Sequence, residues 1–471
     1  MSNPKTVSAR PAFAFPWQPD CGDGTYRNPV IYADYSDPDV IRVGDDFFMT
    51  ASSFNCTPGL PILHSRDLVN WTIVNHALKS VPDARYAEAQ PGCGVWAPAI
   101  RHHAGKFWIF FPTPDEGIYR VTADDPFGKW SEPHLVQAGK GLIDPCPLWD
   151  DDGKAYLVHA YANSRSGIKH VLRVRPMAPD GSKLLGEGQV VFEDPVRHPT
   201  LEGPKFLKRN GWYYISAPAG GVQTGWQVIL RSRNIYGPYE DKIVLHQGDT
   251  DINGPHQGAL LDSTDGKWWF MHFQDVDICG RILHLQPVVW EDDWPLPGNR
   301  GNGIGVPVRQ NAKPVGKGSA TAVPQTTDHF ESAELGLQWQ WQANSCPDWF
   351  SLAKRPGRLR LYAQQSPGAD LAKCANLLLQ KFPAPSFAVE TDLEFSPLAP
   401  GDEAGLVVAG RTCAALAIRR TASRNLILFR NNGADQALDE MATNRLKLQI
   451  EVGGDGLCRL SYAVEDGFIQ V

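Results

Sequence analysis

The chain has no Cys-x-x-Cys pair, although it carries nine cysteines, at positions 21, 56, 93, 146, 279, 346, 374, 413 and 458. That odd and scattered set argues against a disulfide framework and against a thiolate zinc site. There is no stretch of about 18 apolar residues, so no segment reads as spanning a membrane. The opening residues Met1-Ser2-Asn3-Pro4-Lys5 lack the apolar core of a secretory leader, and a reducing, cytoplasmic location is the expectation. No basic run stands out against the net charge of -7, which argues against a nucleic-acid partner. Long helical periodicity is missing too, so an all-β fold is expected. At 471 residues the chain exceeds one ordinary core, and two domains are the natural organisation. None of these features fixes the oligomeric state, and a homo-oligomer is compatible with them.

What is present is a repeat. A Gly, often followed by Lys, leads into a burst of aromatic and branched residues. The copies are Gly44-Asp45-Asp46-Phe47-Phe48-Met49, Gly105-Lys106-Phe107-Trp108-Ile109-Phe110, Gly153-Lys154-Ala155-Tyr156-Leu157-Val158, Gly211-Trp212-Tyr213-Tyr214-Ile215 and Gly266-Lys267-Trp268-Trp269-Phe270-Met271. Their spacing of roughly 50 to 60 residues is near the period of a four-stranded propeller blade. Residues 26–310 are therefore expected to form a five-bladed β-propeller. A second phrase closes three of the units, at Ser65-Arg66-Asp67-Leu68-Val69-Asn70-Trp71, Asp124-Asp125-Pro126-Phe127-Gly128-Lys129-Trp130 and Ser232-Arg233-Asn234-Ile235-Tyr236-Gly237-Pro238-Tyr239. Each ends on an aromatic expected to cap the neighbouring blade.

Residues 1–25 read as an irregular lead-in, and residues 311–325, rich in Gly, Lys and Ser, as a linker. From 326 to 471, runs such as Phe387-Ala388-Val389-Glu390-Thr391-Asp392-Leu393 and Arg445-Leu446-Lys447-Leu448-Gln449-Ile450 read as strands at sandwich spacing. Phe468-Ile469-Gln470-Val471 reads as the beginning of a strand, which leads to the expectation that the sandwich is cut short.

About seven to ten residues before each repeat Gly lies the segment expected to be the innermost strand of its blade. These segments are Ser36-Asp37-Pro38-Asp39-Val40, Val95-Trp96-Ala97-Pro98-Ala99, Ile143-Asp144-Pro145-Cys146-Pro147, Leu201-Glu202-Gly203-Pro204-Lys205 and Pro255-His256-Gln257-Gly258-Ala259. A propeller gathers such strands round one axis, so Asp37, Trp96, Asp144, Glu202 and His256 should face one cavity. Pro suits an inner strand, which has no partner on its channel side. Three carboxyls in one pocket repel each other, so at least one should keep its proton. Two carboxyls with split proton affinities are what glycosidic-bond hydrolysis requires, one as acid and one as base.

With these motifs in place the chain resembles glycoside hydrolase family 43, in the β-xylosidase and α-L-arabinofuranosidase branch that carries a C-terminal concanavalin-like β-sandwich. The likeness runs through Asn28-Pro29-Val30, Ser36-Asp37-Pro38-Asp39, Ala51-Ser52-Ser53-Phe54, Val95-Trp96-Ala97-Pro98, Ile143-Asp144-Pro145, Glu202-Gly203-Pro204-Lys205, Gly254-Pro255-His256-Gln257-Gly258 and Gly280-Arg281. The resemblance implies an inverting enzyme that releases terminal pentose, β-D-xylose or α-L-arabinofuranose, from hemicellulose-derived oligosaccharides. It implies Asp37 as general base, Glu202 as general acid, and Asp144 as the group that stays ionised, tunes the acid and holds it in place. An inverting pair should stand roughly 6.5–9.5 Å apart, to admit a water. The resemblance further implies that Phe54, Trp96 and Arg281 bind the terminal sugar. His256 matches an axial residue that in relatives meets a calcium ion through channel waters, though the chemistry requires no cofactor. Cys56 stands where many relatives carry an aromatic.

Two other classes share features of this pattern. Retaining fructan and sucrose hydrolases are also five-bladed, but they place an Arg before the middle Asp-Pro, where Ile143 stands. A non-catalytic carbohydrate-binding propeller needs no group of like charges at its axis. Protein-docking propellers carry recurrent Trp-Asp pairs, and here only Trp149-Asp150 occurs.

Overall fold

A computed structural model describes residues 15–300, 303–314, 320–366, 368, 370–441, 443–464 and 467–471. Most of the expected lead-in, residues 1–14, and residues 315–319 of the expected linker lie outside the described residues. Five antiparallel four-stranded arrays follow one another. Blade 1 is Asp39–Val43, Asp46–Thr50, Gly59–Ser65 and Thr72–Leu78; blade 2 is Ala99–His103, Lys106–Thr113, Gly117–Ala123 and His134–Ala138. Blade 3 is Leu142–Trp149, Ala155–Tyr161, Val171–Met177 and Gln189–Glu193. Blade 4 is Lys205–Arg209, Trp212–Ala219, Trp226–Ser232 and Glu240–Leu245, and blade 5 is His256–Asp262, Trp268–Val276, Gly280–Glu291 and Trp294–Pro297. Blade 4 gains two short outer strands, Asn299–Arg300 and Gly305–Val306. One α-helix, Asn163–Ser166, occurs among the described residues, and none is long and apolar enough to cross a membrane.

The repeat has a local cause. Gly44, Gly105, Gly153, Gly211 and Gly266 each lie in the turn between the first two strands of a blade, with φ between 63° and 79°. That left-handed conformation favours a residue without Cβ. The apolar burst after each Gly becomes the second strand, which packs between blades. Phe47 and Met49 meet Ala259, Trp269 and Met271 in one buried cluster, and Phe107 and Ile109 meet Phe48, Leu60 and Ile62 in another. The aromatics that close the second phrase, Trp71, Trp130 and Tyr239, are all buried.

The ring closes by several contacts. Thr25–Arg27 pairs with Gln310–Ala312, Ile31 bridges Leu283, and the Arg42 guanidinium forks onto Asp262 at 3.1 and 2.7 Å. Lys313 follows in a buried latch, where its ammonium meets Asp20 at 2.6 Å and Asp67 at 2.8 Å. Both ends of the stretch expected as a linker are thus tied to blade 1 or its approach, since the Gln325 amide also exchanges hydrogen bonds with Ile73.

Beyond it stand two four-stranded antiparallel sheets. Phe387–Glu394, Arg445–Val452, Cys458–Ala463 and Ile469–Gln470 form one; Glu403–Ala409, Cys413–Arg420, Asn425–Asn431 and Ala434–Glu440 form the other. Leu446, Leu448, Ile450 and Val452 alternate inward and meet Leu416, Ile418 and Ile427 in the sandwich core. Ile469 pairs with Tyr462, so the strand expected at Phe468–Val471 is formed.

Candidate active site

The inner strands place the site. Asp37 lies just before the inner strand of blade 1 at φ 55°, and Asp144 lies in that of blade 3 at φ 56°, where the pairing slips between Ile143 and Cys146. Such a bulge re-aims a side chain, and Asp is among the few residues that tolerate this backbone region. Glu202 precedes Gly203, whose φ of 59° repeats the kink in blade 4.

The carboxyls are held differently. Asp37 is buried and accepts hydrogen bonds from the Ser36 and Ser52 hydroxyls, both at 2.7 Å, and from Arg281 at 2.6 Å. Three donors hold it in one orientation as an acceptor. Asp144 accepts the backbone N–H of Gly203 at 2.7 Å, which fixes the peptide next to Glu202. No side-chain donor reaches Glu202 among the described hydrogen bonds, and its own N–H is spent on the Pro218 carbonyl at 3.2 Å. Burial, then the charges of Asp144 and Asp37, push the Glu202 carboxyl up to about 8. Burial first, opposed by the Gly203 N–H and assisted by Asp37, pushes Asp144 up to about 7. Asp144 and Glu202 thus compete for a proton, and the Gly203 N–H, Lys205 and Arg281 act on Asp144 in the ionising direction, the sense expected of the group that tunes Glu202.

The structure separates Asp37 from its acidic neighbours. Asp39 is committed to Arg101 at 2.6 Å and to the N–H of Ile100 at 2.9 Å, and Asp34 accepts the N–H of Arg281 at 3.0 Å. Neither faces the axis as a free acceptor.

Phe54 and Trp96 come together because Phe54 and Val95 exchange backbone hydrogen bonds, both of 2.9 Å, between blades 1 and 2. The Trp96 indole donates to Gly92, and the Arg165 guanidinium lies 5.2 Å from its ring centroid. Arg281, expected to meet sugar, is anchored by one nitrogen to Asp37 and Ser36 and lies 4.6 Å over the Phe273 ring. Burial opposes its charge, yet Asp37, Asp34, Asp275 and Glu202 hold it above the ordinary value.

His256 is fully buried, and neither ring nitrogen has a hydrogen-bond partner. Burial, and then the Arg281 charge, push it down to about 3, so the ring is neutral. Among the described residues no three His, Cys, Asp or Glu side chains are grouped to hold a metal. This donor set does not fit a calcium ion caged by protein oxygens.

Sequence reasoning missed Ser52, Lys205 and Arg101. Ser52 was legible: the pairing of Asp39 with Thr50, extended by two residues, puts Ser52 opposite Asp37. Lys205 is buried beneath Asp144 with its ammonium on the Pro98 carbonyl at 2.6 Å, and nothing in the local pattern marks it.

A five-bladed propeller whose inner strands carry three mutually interacting carboxyls, one of them held by three donors, defines a glycoside hydrolase, acting on carbohydrate. The chain belongs to glycosyl hydrolases family 43: the family's profile matches residues 26–295, and that of the β-xylosidase C-terminal concanavalin A-like domain matches residues 327–468. It is 48% identical over 365 residues to a putative β-xylosidase of Xylanibacter ruminicola, covering 77% of this chain and 67% of that protein. It is 30% identical over 411 residues to a non-reducing end α-L-arabinofuranosidase of Bacteroides ovatus, covering 82% and 73%. The crystal structure of the family 43 protein BlXynB from Bacillus licheniformis superposes with a TM-score of 0.81 at 26% identity, covering 95% of this chain and 90% of that one. Matches to the first curated relatives span 67% and 63% of their lengths.

Proposed function

We propose that this protein is an inverting exo-glycosidase that releases terminal β-D-xylose or α-L-arabinofuranose from hemicellulose-derived oligosaccharides. Asp37 takes a proton from the attacking water as its oxygen bonds to the anomeric carbon. Glu202 gives its proton to the glycosidic oxygen as the bond to that carbon breaks, and Asp144 orients and tunes Glu202. The observation that carries this reading is the asymmetry of the two carboxyls: Asp37 is held by three donors, while Glu202 meets no side-chain donor and the neighbouring Asp144 and Asp37 charges favour its protonated form. The names of the relatives, a β-xylosidase and an arabinofuranosidase, support the pentose class.

NMR of the first product from an aryl β-xyloside tests it: α-xylose should form first, and β-xylose would end the inverting assignment. Asp37→Ala should lose on the order of 10²–10⁴ of turnover. A panel of nitrophenyl xyloside, arabinofuranoside, arabinopyranoside and galactoside ranks the sugars. Since the steps above need no metal, a chelator should leave these rates unchanged. A reducing location is part of the same proposal, on the odd and scattered set of nine cysteines. A homo-oligomer remains part of this proposal, and light scattering of the purified chain decides it.

A further inference from the structure

We propose that Asn55 and Thr57 are positioning residues through which the sandwich sets the aromatic wall of the sugar pocket. The inference rests on the reading of Phe54 as part of that wall. Phe54 holds a left-handed backbone, φ 51°, which an aromatic residue adopts only when its surroundings impose it. On one side the imposition comes from Val95, with Gly94 beside it: a Cβ at Gly94 would fall 2.2 Å from the Phe54 carbonyl oxygen. On the other side it comes from the second domain. Thr57 and Trp341 exchange backbone hydrogen bonds of 2.9 and 2.6 Å, and the Gln340 amide donates to Pro58 at 2.8 Å. The Asn55 amide donates to the Gln342 carbonyl, and the Thr57 hydroxyl donates to the Ala343 carbonyl. Both side chains are buried, so neither finds water as a substitute partner. The strap itself is stiffened, because Gln340–Trp341 pairs with Leu378–Leu379. The loop that carries Phe54 is thus clamped between blade 2 and the sandwich.

Steady-state kinetics on an aryl xyloside, with thermal unfolding recorded for each variant, test this. Asn55→Ala and Thr57→Val should each raise KM about tenfold while kcat changes less than about twofold, because a displaced wall weakens ground-state and transition-state binding alike. The alkaline limb of the pH profile, set by Glu202, should stay in place. Thr57→Ser, which keeps the hydroxyl, should restore KM. Gln325→Ala removes two hydrogen bonds to Ile73 in the outer strand of blade 1, none of them to Asn55, Thr57 or residues 340–343, and should leave KM unchanged. An unchanged KM in both Asn55→Ala and Thr57→Val overturns the proposal, as does an equal rise in Gln325→Ala. Phe54→Ala separates the two claims. If it raises KM while the strap variants do not, only the strap fails. If it does not, the wall assignment falls and the strap with it.

Discussion

The setting of Glu202 favours its protonated form: a half-buried carboxyl, desolvated beside two other acids and without a side-chain donor. Glu202→Gln should therefore remove on the order of 10²–10⁴ of activity on xylobiose, and much less on a dinitrophenyl xyloside, whose leaving group departs without protonation. Activity of the parent should fall as pH rises through about 8, where Glu202 loses its proton, and the variant should lack that limb. The same group bears on stability. Its folded value lies above its unfolded one, so the native state retains a proton that the unfolded chain has shed. That destabilises the fold increasingly as pH rises from about 4.5 toward 8. Glu202→Gln should accordingly stabilise the protein at pH 8 by ~1–2 kcal/mol and hardly at pH 4, as urea titrations at both pH values will show. The three acids were legible because each lies seven to nine residues before a repeat Gly. The partners of Asp37 were less so. Arg281 lies 244 positions away, and only the closed ring brings it to hydrogen-bond distance.

At the scale of strands, kinks at the start of the inner strands aim the acids. Gly203→Ala should be costly, because its φ is 59° and a Cβ would lie 2.7 Å from Gln257 and 2.9 Å from Pro218. A loss of about 1–3 kcal/mol is expected, together with a fall in kcat, since the Gly203 N–H also holds Asp144. The strands themselves were readable from alternation and from turn residues. The stretch after residue 310 was not, because its Gly, Lys and Ser suggest a tether, while Lys313 serves as the counter-charge of two buried acids. Burial opposes ionisation of Asp67, but the hydrogen bonds from Asn70 and Lys313 hold it below the ordinary carboxylate value. Lys313→Met should destabilise by about 3–5 kcal/mol at pH 7, because it leaves two carboxylates uncompensated. The difference should shrink as pH falls below about 4, where those groups take up protons in the unfolded and then the folded chain. Urea denaturation of parent and variant across pH measures both.

For the whole molecule, the division into a ring and a sandwich followed from length and from the change of pattern, and the five-fold count followed from the Gly phrase. What sequence could not supply was the seam. Asn55, Thr57 and Asn344 look like ordinary turn residues, and their role as fasteners shows only when residues 340–344 lie alongside blade 1 and the approach to blade 2. These contacts give the second domain a concrete route by which to buttress the pocket.

The latch between Asp20, Asp67 and Lys313 also bears on how the protein is made. Lys313 lies 293 residues after Asp20, so a translating ribosome extrudes every blade before the cation that fastens the first to the last. Until then Asp20 and Asp67 await their counter-ion, so this latch is set after the blades have been made and not along with the first of them.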